Sequence, residues 1–172
     1  AAEGADFGVT YIATKAVEYD GAIFIGFSDE NTRKIEKFTG AAWSTSADVA
    51  AKYWAKDWFD SYNFRLWRAY ATVSVKVLSV GTDPMSEANW NTTPFTIGDS
   101  TRGIVGMLAQ NQTLWITKAD GLYTLDWTGR TPNVLQFLSG LVEAYNGRNP
   151  ITDGASVMIP HMMVLLQYSE GG

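Results

Sequence analysis

The chain has 172 residues, 46% hydrophobic and only 18% charged, against roughly 25% charged in an ordinary soluble domain, so disorder is excluded. It contains no Cys and one His, His161, which removes disulfide frameworks, thiolate zinc sites, cysteine nucleophiles and histidine metal clusters. A net charge of −5 argues against a nucleic-acid partner, and no apolar run reaches the ~18–20 residues of a membrane span, so membrane insertion is not expected.

Trp 7, Tyr 8, Phe 8 and Gly 16 are scattered along the chain, a mixture that suits short strands and tight turns. The chain begins Ala1-Ala2-Glu3-Gly4, without Met or a signal-like run, so a processed or trimmed product is expected. Phe7 to Ile12 reads as a strand. Strands follow near Thr14 to Tyr19, Ala22 to Phe27 and Lys34 to Phe38, then a Thr39-Gly40 turn and a strand opened by Trp43. Ala47 to Phe59 carries conflicting signals. Ser44, Thr45 and Ser46 can cap a helix, and Val49, Tyr53 and Trp54 share a helical face. The same stretch occupies the place of a strand in the other units described below, and tertiary context overrides helix propensity. The expectation is a strand over Lys52 to Phe59, with a helical turn near Ser46 to Ala51.

Asn63 marks a turn before Phe64 to Ala69, and Val73 to Val80 alternates as a strand should. Gly98-Asp99-Ser100 reads as a turn. Gly103 to Ala109 and Thr113 to Lys118 are strands, joined to Leu122 to Asp126 by Ala119-Asp120-Gly121, where Gly121 is expected to take positive φ. Gly129 marks another turn, Asn133 to Leu138 is a further strand, and Val157 to His161 and Val164 to Tyr168 close the series.

The elements repeat. Ile23, Leu66, Leu114 and Val157 occupy matching positions at intervals of 43, 48 and 43 residues, the length of a four-stranded propeller blade, ~40–50 residues. The fold class expected is therefore all-β: four propeller-like four-stranded units, forming a small closed propeller or an arc of a larger one. The units fall at about 13–46, 52–98, 103–140 and 149–172, with 7–12 as a closing strand that completes the short last unit. Such units cannot bury their faces alone, so stacking should cover Ile23, Trp67, Trp115 and Met158 in one continuous core.

Catalytic motifs are scarce. Gly98-Asp99-Ser100 matches the opening of one esterase family, but that family needs an Asp where Met158 stands, three residues before His161. Nucleophile-elbow, dinucleotide and phosphate-loop patterns are absent. His161 sits in an apolar strand and reads as packing. Asp29, Glu30 and Asn31 gather oxygen ligands but lack the spacing and Gly of a calcium loop, so a solvated turn is expected, with no metal and no cofactor. Asn89 to Pro94 is a polar loop around Trp90, and Trp127-Thr128-Gly129-Arg130 is a similar hairpin tip. An aromatic face with amides beside it is the composition of a sugar platform, which makes Trp90, Asn91, Trp127 and Arg130 ligand-binding candidates. The alternative is that each Trp plugs the end of a unit.

The third unit, with Leu114, Trp115, Asp120, Gly121, Leu122, Tyr123, Asp126 and Gly129, resembles propeller repeats in proteins of tailed bacteriophages and related prophages. The first unit, with Gly26, Phe38 and Gly40, is a looser copy. The second departs most, with Arg65 and Arg68 where neutral residues are expected and no Asp-Gly turn. The resemblance implies a virion-associated or cell-surface module that is not an enzyme: a structural or adsorption component, tail or capsid accessory. Its expected partners are other virion subunits, further copies of itself, or a glycan. A carbohydrate-binding lectin is the second expectation, and a glycoside-active enzyme with carboxylates paired only in space is the third.

Overall fold

The structure, a computed structural model, describes residues 13–28, 34–58, 64–98, 100, 102–110, 112–118, 121–126, 133–137, 151–152, 156–161 and 164–169. Its strands form small antiparallel sheets in chain order, each joining strands to their sequence neighbours. The first sheet holds β1 (Ala13–Tyr19), β2 (Ala22–Phe27), β3 (Glu36–Phe38) and β4 (Trp43–Thr45). The second holds β5 (Trp54–Trp58), β6 (Phe64–Tyr70), β7 (Ser74–Val77) and β8 (Phe95–Thr96), with a single 3-10 turn, Glu87–Asn89, in the β7–β8 connection. The third holds β9 (Ile104–Gln110), β10 (Thr113–Lys118), β11 (Gly121–Asp126) and β12 (Asn133–Phe137). Among the described residues the fourth has three strands, β13 (Ile151–Thr152), β14 (Ser156–His161) and β15 (Val164–Ser169). The chain is all-β.

Local chemistry explains the hairpins. Tyr19 pairs with Ala22 across Asp20-Gly21, and both turn residues take left-handed backbone, φ 50° and 72°, as a two-residue turn matched to strand twist requires. Gly98 likewise sits at φ 61°, fitting its reading as a turn. Gly121 is the first residue of β11, opposite Lys118.

The first three sheets stack face to face, and strand alternation assigns the faces. One apolar cluster joins Tyr19, Ala22 and Phe24 of the first sheet to Trp54, Leu66, Leu78 and Trp90 of the second. Another joins Ala55, Trp67, Ala69, Val75 and Val77 of the second to Ile104, Met107, Leu114, Ile116 and Tyr123 of the third. In β6, Leu66 therefore faces the first sheet and Trp67 the third. The single continuous core expected from sequence is replaced by one cluster in each of these two interfaces. Ile23 is not covered: it alternates with the buried Ala22 and Phe24 and is 43% exposed.

First strands lie beside one another. β1 packs against β5, and β5 against β9. Glu18 of β1 accepts a hydrogen bond from Lys56 Nζ of β5 at 2.6 Å, and Lys15 of β1 reaches the Met107 carbonyl of β9 at 2.7 Å.

The segment with mixed signals is a strand from Trp54 to Trp58, but no helical turn precedes it. The backbone of 46–51 is committed elsewhere: Ser46 N donates to Ile35 O, Ile35 N to Val49 O and Phe27 N to Ala51 O, each at 3.0 Å. Those bonds to the first sheet take carbonyls a helix would use internally.

Candidate functional site

On the second sheet, Leu66, Arg68 and Tyr70 alternate along β6 toward the first sheet, with exposures of 0%, 1% and 39%. They run from apolar floor to open rim. Antiparallel register places Lys76 of β7 directly opposite Arg68. Two cations about 5 Å apart repel by roughly 3 kcal/mol at the effective dielectric near a protein surface, so they need an anion between them. Glu87, in the 3-10 turn, supplies it. Its Oε2 accepts from Arg68 Nη2 and its Oε1 from Lys76 Nζ at 2.7 Å. Arg68 Nη1 donates to the Ala50 carbonyl, while Nε is buried and finds no acceptor.

Aromatic rings confine the guanidinium. Its carbon lies 4.6 Å from the Trp90 ring centre and 5.4 Å from that of Tyr70, and Lys76 Nζ lies 4.3 Å from Tyr70. These cation–π contacts offset part of the desolvation that pulls the Arg68 guanidinium below its ordinary pKa, with Glu87 acting in the opposite direction. Lys34, Asp48 and Ala50 from the first sheet's connections complete a cleft of about 400 Å³ with Arg68, Tyr70, Ala71 and Glu87. Asp48 Oδ1 faces the Glu87 amide and the Ser46 hydroxyl, 3.4 Å from each. The cleft thus offers a ring at its rim, carboxylates that accept and ammonium groups that donate, within the ligand-sized range of roughly 300–1,000 Å³.

The residues expected from sequence fall differently. Trp90 is 2% exposed, its Nε1 donates to the Pro84 carbonyl at 3.1 Å, and its ring meets Trp54 at 6.1 Å. With Trp54 and Arg68 against its ring, Trp90 is packed inside the interface of the first two sheets. Asn91 Oδ1 accepts from Val77 N at 2.8 Å, and its amide donates to the Thr93 carbonyl, so its side chain fastens β7 to the following loop. Trp127, Arg130, Asp29, Glu30 and Asn31 lie outside the described residues. His161 pairs with Val164 at the end of the β14–β15 hairpin.

Sequence reasoning missed Tyr70, Lys76, Asp48, Glu87 and Lys34 as a group. Strand parity held the signal: in Phe64–Tyr70 the residue two beyond the core Leu66 is Arg68, and in Ser74–Val77 the position opposite it is Lys76. Charges on a core-facing stripe of two paired strands require a buried counterion.

No protein-family model matches the chain, and no curated protein matches it. Solved structures do. The extracellular domain of BT4673 from B. thetaiotaomicron, described as a one component system, aligns with TM-score 0.56 and 13% identity over 90% of this chain and 19% of that one. A second structure of that domain, described as from a hybrid two component system, gives the same TM-score and identity over 86% and 19%. This chain therefore spans about a fifth of those domains. The computationally designed protein Ika4 aligns with TM-score 0.57 and 12% identity over 96% of this chain and 95% of its own. At such identities the likeness is one of fold.

Proposed function

We propose that this chain is a non-catalytic recognition module of propeller-like build, acting as an adsorption or structural component of a bacteriophage particle, with the Arg68 cleft as its surface for a host saccharide. The observation that carries the binding role is the cleft itself. A fully desolvated guanidinium is held under a half-open tyrosine ring, with acceptors and donors on both walls. The part of the Tyr70 ring left open beside Arg68 and Lys76 packs on the C–H face of a sugar while carboxylates and ammonium groups take its hydroxyls. Glu87 uses both oxygens to hold structural cations, an arrangement for fixing charge rather than for moving protons.

Support for a propeller-like arrangement comes from the stacked sheets and from β1, β5 and β9 lying side by side, as innermost strands around an axis would. The virion setting is supported by the repeat style of the third unit, and a surface location by the likeness to an extracellular domain. The test is binding to a panel of bacterial surface saccharides by the chain and by Tyr70→Ala. Retention of defined saccharides, lost in the variant, is expected; a panel silent for the folded chain overturns the reading.

A further inference from the structure

Among the described residues the charges of the cleft do not cancel. Lys34, Arg68 and Lys76 bring three cations against the two carboxylates of Asp48 and Glu87. Glu87 is shared between Arg68 and Lys76, and Asp48 faces a backbone amide and a hydroxyl. Lys34 lines the cleft and makes no ion pair or hydrogen bond with a described residue. A local excess of positive charge in a chain of net charge −5 runs against the background field and favours an anionic ligand.

We propose that the cleft selects saccharides carrying a carboxylate, uronic acids in chemical class, and that the Lys34 ammonium is the group that reads the acid. This rests on the reading of the cleft as a saccharide site. Tyr70 supplies the apolar contact common to neutral and acidic sugars, so loss of its ring weakens both. Lys34 contributes a bond that is stronger to the acid's carboxylate than to a neutral hydroxyl, because both partners are then charged. Arg68 and Lys76 add to the field but are held by Glu87, which leaves Lys34 as the discriminating side chain.

The experiment is calorimetric titration with glucuronate, galacturonate and mannuronate oligosaccharides, each paired with its carboxyl-reduced neutral counterpart. The wild-type chain should bind at least one acid about tenfold tighter than its neutral partner, a preference that shrinks with added salt. Lys34→Gln should bring the acid down to the neutral affinity and weaken neutral binding by much less than it weakens the acid, while Lys34→Arg keeps the preference. Equal affinity for acid and neutral forms, or a preference that survives Lys34→Gln, overturns the acid selectivity and leaves the saccharide site standing. Failure of every acidic and neutral form to bind folded wild-type protein overturns both.

Discussion

Two cations show how single residues are fixed by what surrounds them. Arg68 and Lys76 are forced together by register, and Glu87 answers both. Glu87→Gln should therefore cost about 1–3 kcal/mol in urea unfolding, the penalty of leaving charged groups without their partner at a site that is partly open to water. An unchanged midpoint would mean that the cluster does not hold the second sheet. Lys15 has a different problem. Its ammonium is half-buried against β9 with a carbonyl as partner, and desolvation lowers its pKa from 10.5 to about 8. Below about 8 it is charged in both folded and unfolded chains, and the cost of burial is complete. Between there and 10.5 the unfolded chain binds more protons, so stability rises with pH. Lys15→Met should stabilise most at neutral pH, by up to about 3 kcal/mol, and the gain should fade as pH approaches 10.5. A difference between wild type and variant that stays constant from pH 7 to 10.5 would contradict this origin.

At the scale of elements, tertiary pairing decided the segment that carried two signals. Ser46 does cap a turn: its hydroxyl accepts from Val49 N at 2.9 Å and donates to the Met85 carbonyl at 2.7 Å. The turn goes no further because Val49 and Ala51 bond back to the first sheet. Ser46→Ala removes a tie between the exit of the first sheet and the β7–β8 connection, and should lower stability by about 1–3 kcal/mol. A shift within error would place the hold on 46–51 in the backbone pairing alone. Gly26 marks a close approach of the same segment. An added Cβ would meet the Ala51 carbonyl and lie 2.8 Å from Trp54 Nε1. Gly26→Ala should cost about 1–3 kcal/mol by pushing back the Ala51 backbone and the buried Trp54, and a melting temperature equal to wild type would show that the contact yields freely. Strands were legible where alternation or an Asp-Gly turn acted within a few residues, as in β1, β2, β10 and β11. The site was not legible, because it joins Lys34 and Asp48 to Arg68 and Glu87 through sheet stacking, which no local spacing records. Trp90 illustrates the same limit: the polar loop around it does not record that Trp54 and Arg68 lie against its ring.

For the whole molecule, the repeat intervals read from sequence carry physical weight, since Ile23, Leu66, Leu114 and Val157 all fall on the second described strand of their sheets. The exposed Ile23 departs from the expected core, because it lies on the face of the first sheet turned away from the second. Stacked sheets place the cleft where a connection of one sheet overhangs the next, so recognition and architecture share the same residues. The central claim is this side-by-side stacking with first strands adjacent, and zero-length carbodiimide crosslinking of the native chain tests it most directly. Glu18–Lys56, 2.6 Å apart across β1 and β5, and Lys37–Asp83, 3.5 Å apart between the first sheet and the β7–β8 connection, should both be recovered as linked peptides. Links from Glu18 and Asp83 to other lysines, with neither of these pairs found, would contradict the arrangement.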